Sequence, residues 1–174
     1  MKDEATCHKL PESHPLANGI LSPQPLWQEL LSLDDPAREW KILVGCICFN
    51  KTKREYAEPF LVKIFDRYPT AESMAEEIIS QIDADATSPG ETHRWLSHTL
   101  KPLGLVSRRV RAITNMTMAY VTKDWALARE LPGVGKYGHA AWKIFHMGVW
   151  EGKTDPQDRS LCRYVKWLET QEKV

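Results

Sequence analysis

From Ile42 to Phe49 the chain reads ILVGCICF, with no polar side chain on any face of the helix it would form. A helix that is apolar all round must be covered all round, so this segment has to run through the middle of the molecule. Asp34-Asp35-Pro36 lies just upstream and offers a carboxylate cap and a first-turn proline, which sets the helix at roughly 36–49. Cys46 and Cys48 fall inside it and read as small core residues.

Helical periods surround this segment. Leu26, Leu30 and Leu33 share one face of a short helix in 26–33, and Tyr56, Phe60, Ile64 and Phe65 define another at 53–67. Met74, Ile78 and Ile79 mark a helix at 71–81, a short one follows at 91–99, and Val106, Val110, Ile113 and Met116 or Thr117 turn inward from 106–119. Further helices are predicted at 136–147 and 158–170, with Asp83 to Gly90 as a loop and 123–129 as a further turn or two. No alternating strand pattern competes with them, so the fold class is all-α, with helices too short and irregularly spaced for a simple four-helix bundle. Residues 1–20, punctuated by Pro11, Pro15, Asn18 and Gly19, are expected to form a flexible tail ahead of a folded domain at 21–174.

The formal charge is zero, but it is unevenly spread. Residues 1–98 carry 10 Lys and Arg against 16 Asp and Glu, and residues 99–174 carry 13 against 7. Such a split can steer a polyanion to one face, and it can also arise without function. The four cysteines, Cys7, Cys46, Cys48 and Cys162, lack the spacing of a zinc knuckle or an iron–sulfur run, and fit a reducing intracellular setting. No stretch approaches the roughly 18–20 apolar residues needed to span a bilayer, so no membrane partner is expected.

The chemistry-bearing motifs lie between Leu131 and Asp158. Leu131-Pro132-Gly133-Val134-Gly135 reads as a hairpin between two helical patterns, with 123–130 as its first arm and the helix from 136 as its second. Its glycines permit a tight turn and close approach of another backbone. Unpaired N–H groups at the start of the second arm can receive a phosphate, and Lys136 adds a cation there. Carbonyls of the turn, those of Arg129, Leu131 and Val134, can hold a monovalent cation such as K⁺ or Na⁺. The plain alternative is a structural turn between helices. Asp158 precedes the face formed by Leu161, Tyr164, Val165 and Leu168, so it is an N-cap at least. Folding back over about ten loop residues would also bring it beside the phosphate site, where a carboxylate is costly unless it takes part in chemistry.

Taken together, LWQELL at 26–31, GCICFNKTKREYA at 45–57, LKPLGL at 100–105, LPGVGKYG at 131–138 and PQDRSLCRYVKWL at 156–168 resemble the helix-hairpin-helix DNA glycosylase superfamily. The resemblance spans residues 23–171 and is nearest to the branch of thymine and uracil mismatch glycosylases. It implies a two-lobed helical fold, with lobe one at roughly 36–140 and lobe two from 21–35 and 141–174. It implies Asp158 as the catalytic carboxylate. Tyr137 stands where strand-cutting members carry a lysine, so a monofunctional enzyme is expected. Gln28 corresponds to a pocket glutamine that bonds the flipped pyrimidine, and Asn50 to a polar residue near the break in the stack. Lys51 falls where an arginine enters the space left by the base. Leu103 and Leu105 belong to a loop that wedges into the opposite strand, and Gly133, Gly135, Lys136 and Gly138 to the grip on the DNA backbone. No cofactor is required and no iron–sulfur cluster is expected.

The partner implied is double-stranded DNA with a mismatched or damaged pyrimidine, met by a monomer, in the nucleus if the source is eukaryotic. An adenine- or alkylbase-specific glycosylase of the same fold, and a hairpin module that binds DNA without chemistry, are the alternatives. Several side chains also have plain readings. Tyr137 can be a packing aromatic, Gln28 a surface residue, and Lys51, Lys53 and Arg54 a solvated face. Arg108, Arg109 and Arg111 can meet phosphates or only coat a helix. His139 and His146 have no third metal ligand and are taken as structural.

Overall fold

The computed structural model describes residues 10–82, 90–150 and 158–171. Among these residues there are seven α-helices and no strand: α1 (Arg38–Phe49), α2 (Arg54–Arg67), α3 (Ala71–Ile82), α4 (Glu91–Leu100), α5 (Val106–Thr122), α6 (Lys136–Phe145) and α7 (Arg159–Gln171). Short 3-10 turns sit at Pro15–Asn18, Trp27–Leu30, Lys101–Leu103 and Ala128–Glu130. Seven of the predicted helices therefore exist, most ends shifted by one or two residues, whereas the helix expected at 26–33 is only the 3-10 turn Trp27–Leu30, whose Gln28 and Leu31 carbonyls are taken by Arg38.

The apolar run occupies α1 and is buried as its composition demands: Trp40, Ile42, Leu43, Val44 and Cys48 have no exposed surface. The helix starts where Asp35 Oδ1 accepts the Ala37 N–H at 2.9 Å, and Asp35 Oδ2 meets Lys41 Nζ at 2.6 Å. It packs against α2, α5 and α6. Its two sides feed different apolar clusters. Trp40, Leu43, Val44, Ile47 and Cys48 face a large one completed by α2 to α5, and Ile42 and Cys46 face a smaller one built with α6 and α7.

Two close approaches hold α1 to its neighbours. A Cβ on Gly45 would come within 2.4 Å of the Trp27 ring, so mid-helix glycine is what lets the Trp27–Leu30 turn lie flat against α1. Arg38 is wholly buried, and its guanidinium donates to the carbonyls of Phe145 at 2.6 Å, Gln28 at 3.3 Å and Leu31 at 3.4 Å. One cation thus ties that turn to the last carbonyls of α6, where the helix dipole favours it.

The structure departs from three further expectations. The segment from residue 10 to 20 is packed, not loose: Leu10 and Leu16 enter the smaller cluster, His14 Nδ1 accepts the Leu16 N–H at 3.1 Å, and the His14 ring meets Trp150 edge-on. Residues 1–9 lie outside the described residues, as does the expected loop from residue 83 to 89. The first arm of the hairpin is a single 3-10 turn, Ala128–Glu130, in place of a helix over 123–130. Trp125 packs against Tyr120 and Trp142, and the Glu130 carboxylate accepts the N–H groups of Ala126 and Leu127, so the backbone there cannot pair along a helix. Finally, α6 stops at Phe145 and not at 147. Gly148 takes a positive φ of 65°, and Met147 and Val149 donate back to Trp142 and Lys143 in a glycine-terminated cap.

Candidate functional site

The N-terminus of α6, the N-terminus of α7, the Trp27–Leu30 turn and the loop after α1 converge on one open cleft of about 1380 Å³. Gln28, Asn50, Lys51, Leu105, Gly133, Gly135, Lys136, Tyr137, Gly138 and Asp158 all line it, from five separate stretches of sequence. Arg129 and Val134 of the expected cation site line it too, whereas Leu103, which leans onto the large cluster, and Leu131, which is buried in it, do not.

Gln28 and Tyr137 meet in this cleft. Gln28 is 1% exposed, which removes the surface alternative, and its Nε2 donates to the Tyr137 hydroxyl at 3.2 Å. The same amide nitrogen lies 3.8 Å from Cys46 Sγ, on the buried helix below. Burial, then the neighbouring Cys46, pushes the Tyr137 phenol well above its ordinary value; the Gln28 bond opposes this and the Asp158 charge adds to it. Burial likewise pushes the Cys46 thiol up to about 12, so it is neutral packing and not a nucleophile.

Asp158 caps α7. Its Oδ1 accepts the N–H groups of Ser160 at 2.8 Å and Leu161 at 3.1 Å, and no donor among the described residues reaches Oδ2. The cap is therefore real, and it leaves a second carboxylate oxygen for the cleft that Asp158 lines.

The hairpin rests on α5. Gly133 has φ 82°, and a Cβ there would lie 2.7 Å from the Ala112 Cβ, so both turn and packing require glycine. A Cβ on Gly135 would meet nothing within 4 Å, so the backbone at the head of α6 is open to approach. Gly138 is different. It is buried, and a Cβ would press on Val134 at 3.1 Å and Cys46 at 3.5 Å, so its smallness seats α6 on α1 at the floor of the cleft. The Leu131 carbonyl already accepts the Val134 N–H at 3.2 Å.

The charge of the cleft is far from the neutrality of the whole chain. Lys51, Lys53, Arg54, Arg108, Arg109, Arg129, Lys136 and Lys143 line it, and among the described residues Asp158 is the one carboxylate that does. Lys53 and Arg54 have acidic neighbours, Glu55 at 3.9 Å and Glu58 at 2.9 Å. Arg111 lies beside the cleft, in a shallow hollow of about 450 Å³ with Arg108, Asn115 and Pro132.

Two features were not legible from motifs. Arg129 and Lys143 join the cleft only through the fold. Arg109 is 3% exposed, unlike its exposed neighbour Arg108, and bonds backbone on both sides of the cleft mouth. Helical spacing could have separated it, since residue 109 precedes the inward Ile113 and Met116 by four and seven positions. His139 and His146 stack on Trp142 at 5.9 and 6.0 Å, and no cluster of metal-binding side chains occurs among the described residues.

No family model matches the chain. A methyl-CpG-binding domain protein 4-like protein of Arabidopsis thaliana is 28% identical over 145 residues, which is 83% of this chain and 29% of that protein. The chain is related to that protein and spans less than a third of its length.

Proposed function

We propose that the chain is a monofunctional DNA glycosylase that removes uracil or thymine mispaired with guanine. The observation that carries this is that, among the described residues, a single carboxylate is set among eight cationic side chains, beside a buried amide–phenol pair. Cations draw in a polyanion, and a lone carboxylate among them suits a reaction whose transition state gains positive charge. The relationship to a protein named for methyl-CpG binding supports DNA as the partner and a nuclear setting. No helix among the described residues is long and apolar enough to cross a membrane. The two apolar clusters on either side of α1 suit the two lobes of a helix-hairpin-helix glycosylase.

A base stacked in a duplex is out of reach, so the nucleotide rotates into the cleft, at lower cost for a mispair. The backbone beside it is held by the open N–H groups at Gly135 and by Lys136. The turn carbonyls of Arg129, Leu131 and Val134 are hard oxygen donors that fit K⁺ or Na⁺, although that of Leu131 has one lone pair engaged. Such an ion would add positive charge to the phosphate grip. Gln28 and Tyr137 hydrogen-bond the edge of the flipped pyrimidine. As the C1′–N1 bond lengthens, Asp158 stabilises the oxocarbenium-like sugar and orients the water whose oxygen bonds to C1′. The base departs as an anion with the bond's electrons, Asp158 takes up the proton the water sheds, and the base anion is protonated from solvent. A phenol kept protonated by burial offers no amine for a Schiff base, so no strand cleavage follows.

The test is a glycosylase assay on duplexes carrying uracil, thymine or an oxidised pyrimidine opposite guanine, with an adenine and an alkylated-base control. Base release from the G·U and G·T duplexes, with strand breaks only after alkali, is expected. Breaks without alkali would overturn the monofunctional assignment. Release confined to the controls would move the substrate class, and no release from any duplex would leave a binding module.

A further inference from the structure

Two non-glycine residues among the described ones have positive φ, Lys51 at 56° and Leu105 at 50°. Both line the mouth of the cleft, one after α1 and one before α5, and neither is buried. Lys51 sits third in a turn closed by the Thr52 N–H on the Phe49 carbonyl at 2.9 Å, with Asn50 at φ −55° and ψ 115°. That is the pattern of a type II turn, whose third position favours glycine. Leu105 is 45% exposed, an apolar side chain held out at the rim. Left-handed backbone at residues with a Cβ is unfavourable and persists only where surroundings over-determine it.

The surroundings that do so converge on one side chain. Arg109 Nη2 donates to the Asn50 carbonyl at 2.8 Å and to Thr52 Oγ1 at 2.6 Å, bracketing Lys51. Its Nη1 donates to the carbonyls of Leu103 and Gly104, immediately before Leu105. The guanidinium is buried and, among the described residues, has no carboxylate bonded to it; all its bonds, made by Nη1 and Nη2, go to the two loops, and Nε has no partner.

We infer that Arg109 is a positioning residue that holds Lys51 and Leu105 as one preassembled pair, so that both loops enter the duplex together when the base is rotated out. The inference rests on the proposed base-flipping function. A lysine at 109 would keep the charge but not the planar fork that spans four acceptors. Without it the loops can relax to ordinary backbone independently, and the pair must be organised while the stack is being opened.

The experiment compares single-turnover excision of uracil from a G·U duplex with excision from an otherwise identical duplex whose uracil sits in an unpaired bubble. The bubble removes most of the work of opening the stack. For Arg109→Lys, the duplex-to-bubble rate ratio is expected to fall on the order of 10- to 100-fold below that of the parent. Thr52→Val, which deletes one acceptor and leaves the guanidinium in place, should shift the ratio in the same direction by less. Folded state is checked by thermal melting of each variant. Equal losses on both substrates, or an unchanged ratio in folded variants, would overturn the positioning role while leaving the glycosylase intact. A parent protein that releases no base from either substrate would instead sink the proposed function.

Discussion

On the proposed function Asp158 has two duties, the observed cap and a catalytic one, that single substitutions can separate. Asparagine caps a helix about as well as aspartate, whereas alanine costs about 1 kcal/mol at such a position. Asp158→Asn is therefore expected to keep the melting temperature and DNA binding while single-turnover base release falls about 100-fold or more. Asp158→Ala should lose both stability and rate. Near-parental excision by Asp158→Asn, measured on a G·U duplex, would show the residue to be a cap alone. Tyr137→Phe tests its neighbour. It leaves the buried Gln28 Nε2 with only the Cys46 sulfur at 3.8 Å, and an orphaned buried donor costs about 1–3 kcal/mol. The expected result is a lower melting temperature together with weaker discrimination among pyrimidines in competition assays, and still no strand breaks before alkali.

Elements were more legible than the joints between them. The ILVGCICF run located α1 and its burial, and the Leu161, Tyr164, Val165, Leu168 stripe located the buried face of α7, because periodicity is a local property. The 3-10 turn at Ala128–Glu130 was not legible, because what prevents a helix there is the tertiary seat of Trp125 and the reach of Glu130. The packing of Gly138 on α1 was hidden for a similar reason: a motif records that a glycine is needed, not which neighbour presses on it. Gly45 is the clearest joint. Gly45→Ala should cost about 1–3 kcal/mol by overpacking, read as a lower denaturant midpoint with unchanged slope. It would also push Trp27, and with it Gln28, out of register with Tyr137.

On α6, His139 is held below its ordinary value by burial first and by Lys143 and Arg129 next. The folded chain therefore binds this proton less readily than the unfolded chain. Nothing is lost above the unfolded value near 6.5; stability falls as pH drops below it and levels off beneath the lower folded value. His139→Gln should flatten that part of the curve of melting temperature against pH. An unchanged curve would assign the acid limb to other groups.

At the scale of the whole molecule, net charge misleads. A neutral chain arranges eight cationic side chains around one cleft, and among the described residues a single carboxylate joins them there. The uneven split between halves was visible in sequence, but Lys51, Lys53 and Arg54 come from the acidic half and reach the cleft only through the fold. Duplex affinity should fall steeply with salt, with a logarithmic slope of about 0.9 per phosphate neutralised. Lys136→Ala and Arg129→Ala should each lower that slope by close to one phosphate, while Lys63→Ala, on α2 outside the cleft, should not change it. Equal effects from all three in fluorescence anisotropy titrations would remove the cleft as the binding face.

The cap on α7 has a consequence for the order in which the molecule becomes competent. The hairpin, the cations of α5 and α6 and the rim loops all precede residue 158 in the chain, and α7 joins them by closing Leu161, Tyr164, Val165 and Leu168 onto the smaller cluster. The carboxylate arrives with that closure. On the proposed function, a molecule with α7 undocked would keep its cationic cleft and lack the carboxylate that acts on the glycosidic bond. Docking of α7 would then serve as a safeguard, withholding base removal until that helix is seated.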